Sequence, residues 1–366
     1  MKKYGYNEVT TIQYILLIHG TQVGIGVLTM PRELAEVAGT DGWISLIFGW
    51  ILALLASLLI INIMKRYPGY TIIDLLPLFL GKWLGKAGIF IVALYCALAL
   101  IVVTSNTVAI INVWILTQTP GYIVVILFAI PIYYIVRGGL RVIGRYSELI
   151  FYITLWMPVV LLTLFKDTHW LHFLPVLKEG IQPVLQATRS TVLSFLGFEL
   201  AFFLYPFLQK KQYAALGIVV ANTLSLLVFL SVTLFCFAFF SPDEISQYTW
   251  PTLNLWKVIE YRFLERIDII FLAFYSIILS TTAIPYMYFT VFSTSRLFGR
   301  QDHRTHLKIL TVLIVVAFWL YTPSFIEVKK WTETWSLAGL AVGYIFPLLA
   351  WGPIWFLQKS SGGRNV

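Results

Sequence analysis

Charged side chains are scarce in this chain of 366 residues, of which only 12% are Asp, Glu, Lys or Arg. An average soluble domain has roughly 25%, so the chain lacks the charge that would cover a soluble surface. Cysteine is also nearly absent. The two that are present, Cys96 and Cys236, lie inside apolar runs, where a thiol packs as a small hydrophobic group. We therefore expect neither a disulfide framework nor a cysteine metal site.

Enzyme motifs are missing as well. The sequence contains no HExxH, P-loop, GxSxG or dinucleotide fingerprint, so no motif indicates an enzyme. His169 and His172 stand three residues apart in a connection that lacks further metal ligands, so neither a metal nor another cofactor is expected. The net charge of +9 does not indicate nucleic acid, because the basic residues stand in short clusters at the ends of apolar runs, as topology signals do.

Long apolar runs are what the sequence has in abundance. Hydrophobic residues make up 59% of the chain, and many stand in runs near the length that crosses the roughly 30 Å hydrocarbon core of a bilayer. These runs predict one polytopic, all-α integral membrane domain over residues 1–366 with ten transmembrane helices. The predicted spans lie at about residues 10–31, 42–64, 84–114, 120–136, 144–165, 185–208, 213–240, 267–294, 307–323 and 335–358.

The distribution of basic residues agrees with ten spans and sets their orientation. With the amino terminus inside, the connections on one side carry 17 Lys and Arg residues and those on the other side carry 9. The richer side of a membrane protein is the cytoplasmic one. Both termini are therefore predicted to be cytoplasmic, and the first helix is interpreted as retained rather than as a signal peptide.

Two spans are interrupted by glycine, at Gly24-Ile25-Gly26 and at Gly197-Phe198-Glu199. Glycine lets the backbone leave helical geometry at low steric cost, and the N–H and C=O groups freed in this way must be satisfied within the protein. The alternative is that these glycines only permit close helix packing. Interrupted helices in corresponding halves of a membrane protein indicate a transporter-type binding site.

The ten spans divide into halves of five, residues 10–165 and 185–358, and each half opens with an interrupted helix. An odd number of spans per half makes the second half enter the membrane from the opposite face. The pattern therefore predicts a five-plus-five inverted repeat.

Specific segments carry a family resemblance. Gly24-Ile25-Gly26 followed by Pro31, together with Phe195-Leu-Gly-Phe-Glu199, resembles the amino acid–polyamine–organocation (APC) transporter superfamily. Further segments are similar, more narrowly, to the B subunits of bacterial spore germinant receptors: Thr11-Ile-Gln13, Gly24-Ile-Gly-Val-Leu28, Pro31-Arg32-Glu33-Leu-Ala35, Gly39, Asp41-Gly-Trp43-Ile44 and Phe198-Glu-Leu-Ala-Phe-Phe-Leu-Tyr-Pro206.

The resemblance implies a LeuT-type fold with discontinuous helices 1 and 6, and a role in sensing a small nutrient, often an amino acid, to start germination. It also implies an A-type membrane subunit and a C-type lipoprotein as partners, in the inner membrane of the spore. Two other functions stay open: a cation-coupled secondary amino acid permease, and a scaffold subunit that binds no ligand. The fold alone does not separate them.

In such a fold, helices 1, 3, 6 and 8 enclose a central pocket. Its predicted lining is Gly24, Ile25, Gly26, Tyr95, Leu98, Gly197, Phe198, Thr282 and Tyr286. Ser280 or Thr281 is predicted to face helix 1, where some relatives hold a cation. The structural alternative is that hydroxyls in the eighth span cap carbonyls freed by Pro285.

Glu199 is an expensive residue inside a membrane span, at roughly 2.5 to 3.5 kcal/mol on insertion scales. It could bind an amino group, relay protons, or accept hydrogen bonds that hold the broken helices together. The last interpretation is favoured, because a buried carboxylate must be hydrogen-bonded.

Two further segments give weaker predictions. Leu253, Trp256, Ile259 and Phe263 recur at helical spacing, which predicts a helix lying on the outer surface of the membrane, or a docking face for a partner. Gly339 and Gly343 form a GxxxG pair, interpreted as packing within the chain rather than as a dimerisation face.

Overall fold

Helices dominate the structure, which is a computed structural model describing residues 7–262, 265–300 and 302–351. An isolated β-bridge joins Val9 and Leu208. The helices of this part are α1 (Thr11–Gln22), α2 (Gly26–Ala38), α3 (Gly42–Arg66), α4 (Ile72–Trp114), α5 (Gly121–Arg137), α6 (Leu140–Thr154), α7 (Trp156–Leu161), α8 (Ile181–Phe195), α9 (Ala201–Leu204), α10 (Ala214–Phe239), α11 (Pro242–Gln247), α12 (Pro251–Lys257), α13 (Ile267–Leu297), α14 (Arg304–Leu320) and α15 (Phe325–Gly339), which a π-helical turn continues over Leu340–Ile345.

Several stretches of the described residues are long and apolar enough to cross a membrane. Six do so as they stand: Gly26–Arg66, Ile72–Trp114, Leu140–Asp167, Lys211–Phe239, Ile267–Leu297 and Phe325–Trp351. A seventh, Ile181–Phe195 with Phe198–Phe207, does so as a pair bent by 48°, and α5 is a shorter apolar helix. The prediction of an all-α, multi-pass membrane protein is confirmed. The count of ten remains a prediction, since the last predicted span, 335–358, runs on into residues outside the described part.

Both predicted breaks coincide with helix ends. α1 begins with a capping box in which the side chains of Thr10 and Gln13 each accept a hydrogen bond from the other's backbone N–H. It ends at Gln22, and α2 begins at Gly26. In the sixth predicted span, α8 ends at Phe195, and Gly197 follows with φ = 126°. That backbone conformation favours glycine, which explains why the helix stops there.

The core is centred on α13, which packs against α1, α4, α5 and α6. Its residues 278–293 are all buried. A helix that is buried on every side lies in the middle of the protein rather than at the lipid surface. α13 therefore stands beside the break between α1 and α2 and can supply polar groups to it.

The structure refines two predicted features. The third predicted span, 84–114, matches the part of α4 that follows a kink at Gly81, where φ is 77°. The predicted outer-surface helix is α12, and its apolar face is covered by protein; its position relative to the membrane stays a prediction. Leu253 and Trp256 are 1% exposed, and Trp256 stacks on Phe271 with ring centroids 4.2 Å apart. The fourth residue of that predicted face, Phe263, lies outside the described residues.

Candidate functional site

The two broken helices touch at their breaks. The side-chain amide of Gln22, the last residue of α1, donates to the carbonyl of Phe195, the last residue of α8, at 2.8 Å. A Cβ added at Gly26 would collide with the Ser194 side chain, and one added at Gly197 would lie 3.1 Å from Gln22. The backbones approach so closely that only glycine fits at these two positions.

Hydroxyl groups of α13 donate hydrogen bonds to the backbone carbonyls at the break between α1 and α2. The Tyr275 hydroxyl donates to the Gly24 carbonyl at 2.5 Å. The Thr281 hydroxyl lies 2.9 Å from the Gly20 carbonyl, and the Thr282 hydroxyl lies 3.3 Å from it. Carbonyls that leave the helical ladder inside a membrane need such donors. α13 therefore stabilises the broken conformation of the first span.

Glu199 accepts hydrogen bonds at the other break, between α8 and α9. It is 2% exposed, and its Oε1 accepts hydrogen bonds from the hydroxyls of Tyr95 and Tyr286, both at 2.7 Å. Its Oε2 accepts from the backbone N–H of Gly197 at 2.6 Å. One carboxylate thus joins the broken sixth span to α4 and α13.

The amino end of α2 lies at the first break and has no side-chain cap. Its N-cap residue is Ile25, and no side chain in the described part of the chain accepts a hydrogen bond from the first N–H groups. The first N–H groups of a helix carry partial positive charge and attract anions. This end opens on a cavity of about 10 Å³ between the breaks, which is room for about one water molecule. Its lining is Thr21, Gln22, Gly24, Ile25, Gly26, Val103, Leu193, Ser194, Leu196, Thr282 and Trp335.

The predicted site residues fall into two groups in space. Gly24, Ile25, Gly26 and Thr282 line the small cavity, whereas Tyr95, Tyr286 and Gly197 surround the Glu199 carboxylate.

Three other predicted residues lie elsewhere. Phe198 is fully buried and meets Tyr344 edge to face at 5.1 Å. Leu98 is half-buried and packs against the core. Ser280 is hydrogen-bonded at 2.6 Å to the Tyr146 hydroxyl of α6 rather than to α1, so Thr281 is the member of that pair that contacts α1.

Gly339 and Gly343 pack against the same region. A Cβ at Gly339 would collide with Leu196, and one at Gly343 would lie 3.2 Å from the Phe198 ring. The interpretation of this pair as packing within the chain is confirmed. The two glycines let α15 and its π-helical continuation lie directly against the break in the sixth span.

Sequence reasoning missed Gln22 and Tyr275. Gln22 is 2% exposed and binds Phe195 and Asn222. An amide within an apolar run next to a glycine pair was an available signal, because a buried amide must find partners. Tyr275 gave no comparable signal, since an aromatic residue in a membrane helix is ordinary.

These features define a class of protein, a multi-pass membrane protein with a transporter fold. Over 92% of its length the chain is similar to the crystal structure of MhsT in complex with L-phenylalanine, with a TM-score of 0.64, 17% identity and 88% of that chain covered. It is also similar to a manganese transporter mutant of Eremococcus coleocola, with a TM-score of 0.57, 12% identity, and 92% and 78% of the two chains covered.

Sequence comparison gives the family. Residues 8–326 match the model of the spore germination protein family, and the chain belongs to that family. It is 28% identical over 352 residues to spore germination protein A2 of Bacillus subtilis (strain 168), covering 93% of this chain and 92% of that one. It is 31% identical over 274 residues to spore germination protein B2 of the same strain, covering 72% of each chain. Spore germination protein GerQB of Bacillus cereus is 24% identical over 360 residues, covering 96% of each.

Proposed function

We propose that the chain is the ligand-binding membrane subunit of a spore germinant receptor, and that its ligand is a small zwitterion such as an amino acid. The observation that carries the proposal is the amino end of α2. It begins inside the membrane region without a side-chain cap, and it lines the cavity between the two helix breaks. Family membership gives the context of germination, and MhsT, which has the same fold, holds L-phenylalanine.

The chemistry of the two helix ends suits a zwitterion. The N–H groups at Ile25 and Gly26 would receive the ligand carboxylate, since the start of a helix favours negative charge. On the facing wall, Leu193 and Ser194 belong to the carboxyl end of α8, where the helix dipole favours a positively charged amino group. Thr282 lines the same cavity and would contact the ligand between these two ends.

Binding would require the helices to separate. Pockets for small molecules typically measure roughly 300–1,000 Å³, whereas this cavity measures about 10 Å³. A ligand that binds only the separated arrangement shifts the population toward it. We propose that this movement is passed to an A-type membrane subunit and a C-type lipoprotein in the spore inner membrane, with both termini of this chain in the cytoplasm.

The permease is the second candidate, because one of the solved structures of this fold cited above is a manganese transporter. In that case Gly20 and Thr281 would hold the coupling cation, and the ligand would cross the membrane. Uptake of radiolabelled amino acids into proteoliposomes supports the permease. Ligand-dependent thermal stabilisation without uptake supports the receptor. The absence of both uptake and stabilisation supports a scaffold.

The decisive experiment is a germination assay over a panel of amino acids and sugars, in spores that carry Thr282→Val. Thr290→Val is the matched control, because Thr290 lies in the same helix, is 4% exposed and hydrogen-bonds only within α13, to Tyr286. We expect Thr282→Val to change the ligand preference or raise the concentration needed, with Thr290→Val unchanged. An unaltered preference at normal receptor levels would contradict the placement of the ligand.

A further inference from the structure

A second cavity, of about 120 Å³, lies beside a different face of α1. On α1 its lining residues are Leu16, His19 and Gly20, and Val23 follows. The spacing of these residues places them on one helix face. Helices α2, α6, α7, α10, α12 and α13, with Leu155 between α6 and α7, supply the rest of the wall, and no residue is shared with the cavity between the breaks.

The hydroxyl groups around this cavity have no proton to offer an occupant. The residues with hydroxyl groups that line it are Ser147, Thr154, Ser231, Thr252, Tyr275 and Thr281, and each donates to a backbone carbonyl. Aliphatic and aromatic side chains form most of the remaining wall. Such a cavity favours an apolar occupant, because its polar groups are already satisfied by the protein.

His19 is the exception, and a hydrogen-bond network fixes its state. The Gln22 side-chain amide donates to Phe195 and Asn222, so its oxygen is left as an acceptor. The Ser225 hydroxyl donates to that oxygen at 2.7 Å. The Ala221 carbonyl, 3.1 Å away, is a second acceptor for the same Ser225 proton. Because both of these acceptors compete for that proton, the network assigns the His19 Nδ1 nitrogen, 3.0 Å from the Ser225 oxygen, as the donor between the two.

The other ring nitrogen of His19 is therefore a bare acceptor when the ring is neutral. His19 is 6% exposed, and its Nε2 atom has no hydrogen-bond partner within the part of the chain that the structure describes. An acceptor that has no protein partner and is open to an apolar cavity favours one kind of occupant. That occupant is apolar in bulk and carries one hydrogen-bond donor.

We propose that this cavity is a second binding site, which takes a small apolar molecule with a single O–H or N–H group, of the phenol, indole or short-alcohol class, donating to His19 Nε2. The volume is of the order of the roughly 150 Å³ apolar cavity that holds benzene in an engineered protein. Leu155 lines the cavity at the junction of α6 and α7 and is 47% exposed, so the occupant enters from the surrounding lipid, in which such molecules concentrate.

The test measures binding of 4-fluorophenol and 4-fluorotoluene, which differ in one donor group, to the full chain in nanodiscs by fluorine NMR. Val232 lines the cavity on α10, so Val232→Phe fills it; Leu227→Phe, on the exposed face of the same helix, is the control. His19→Phe removes the acceptor and keeps an aromatic ring against Phe151, which the histidine meets edge to face at 5.6 Å. Saturable binding is taken as the excess over nanodiscs of the same lipid that hold no protein, at equal probe concentration in the bilayer.

We expect the phenol to bind about tenfold more tightly than the toluene, the value of one hydrogen bond. His19→Phe is expected to remove that preference, Val232→Phe to abolish binding of both probes, and Leu227→Phe to change neither. Equal binding of both probes to the unmodified chain would overturn the proposal, and this comparison needs no variant to fold. Binding that Val232→Phe leaves intact would also overturn it, by placing the probes elsewhere.

Discussion

Replacing Glu199 with glutamine tests whether this carboxylate holds the broken helices together. The two side chains have nearly the same shape, so packing around the site is retained. The new amide oxygen can still accept from Tyr95 and Tyr286, but the new NH₂ group faces the Gly197 N–H, which now donates to Oε2 at 2.6 Å. Two donors then face each other, and a buried donor left unsatisfied costs about 1–3 kcal/mol.

Glu244 provides the matched control. It lies in the first turn of α11, is exposed, and accepts a hydrogen bond from the Tyr248 hydroxyl at 2.9 Å. Substitutions at exposed positions of this kind usually change stability by no more than about 0.5 kcal/mol. We therefore expect Glu199→Gln to lower the thermal unfolding midpoint of the purified chain, and the germination response, clearly more than Glu244→Gln does.

The tyrosines give an independent check of the same reasoning. Tyr95→Phe and Tyr286→Phe each remove one donor to the same carboxylate oxygen, so their effects should not be additive with each other or with Glu199→Gln. Differential scanning fluorimetry in detergent gives the midpoints. If Glu199→Gln and Glu244→Gln are tolerated equally, Glu199 does not have the structural role inferred from its three contacts.

Three further substitutions test the breaks and the buried helix. Gly26→Ala should abolish the germination response because its Cβ collides with Ser194, and Ser194→Gly should restore part of it; no rescue would mean that the contact is not the cause. Gly197→Ala should lower the free energy of unfolding by about 1–3 kcal/mol, since φ is 126° there. Replacing the neighbouring side chains with smaller ones should not recover the unfolding midpoint. Thr252→Val removes the hydroxyl that donates to the Val27 carbonyl at 2.7 Å and should cost about 1–3 kcal/mol; an unchanged midpoint would show that α12 does not stabilise α2.

The sequence contained enough information for the position of both breaks but not for the direction of the side chains. Gly197 needs a positive φ, and that requirement is visible in the amino-acid type itself. The prediction for Tyr95 and Tyr286 rests on their depth along helices 3 and 8, and depth leaves rotation about the helix axis undetermined. They were predicted to line a ligand pocket, and the structure directs both at Glu199.

What covers α12 could not be predicted from the sequence for a related reason. An apolar stripe shows that one face of a helix must be covered, and lipid, protein or a partner can each cover it. In the structure the cover is protein, since Trp256 stacks on Phe271 of α13 and Thr252 bonds to α2. Periodicity predicts that a helix has a buried face, and only tertiary packing decides what lies against it.

The closed cavity between the breaks bears on how such a protein could signal. With about 10 Å³ available, the proposed ligand would bind only a conformation in which α2 and α8 have moved apart, so its apparent affinity would be reduced by the fraction of molecules in that conformation. The hydrogen bond from Gln22 to Phe195 and the contacts of Glu199 both favour the closed arrangement. Weakening the Gln22 contact should therefore raise the apparent affinity for a germinant while it lowers stability, whereas in a preformed pocket the same change would lower both. Gln22→Leu, assayed by germinant dose response and by thermal unfolding, separates the two cases, and a parallel fall in both quantities would refute the closed-state account.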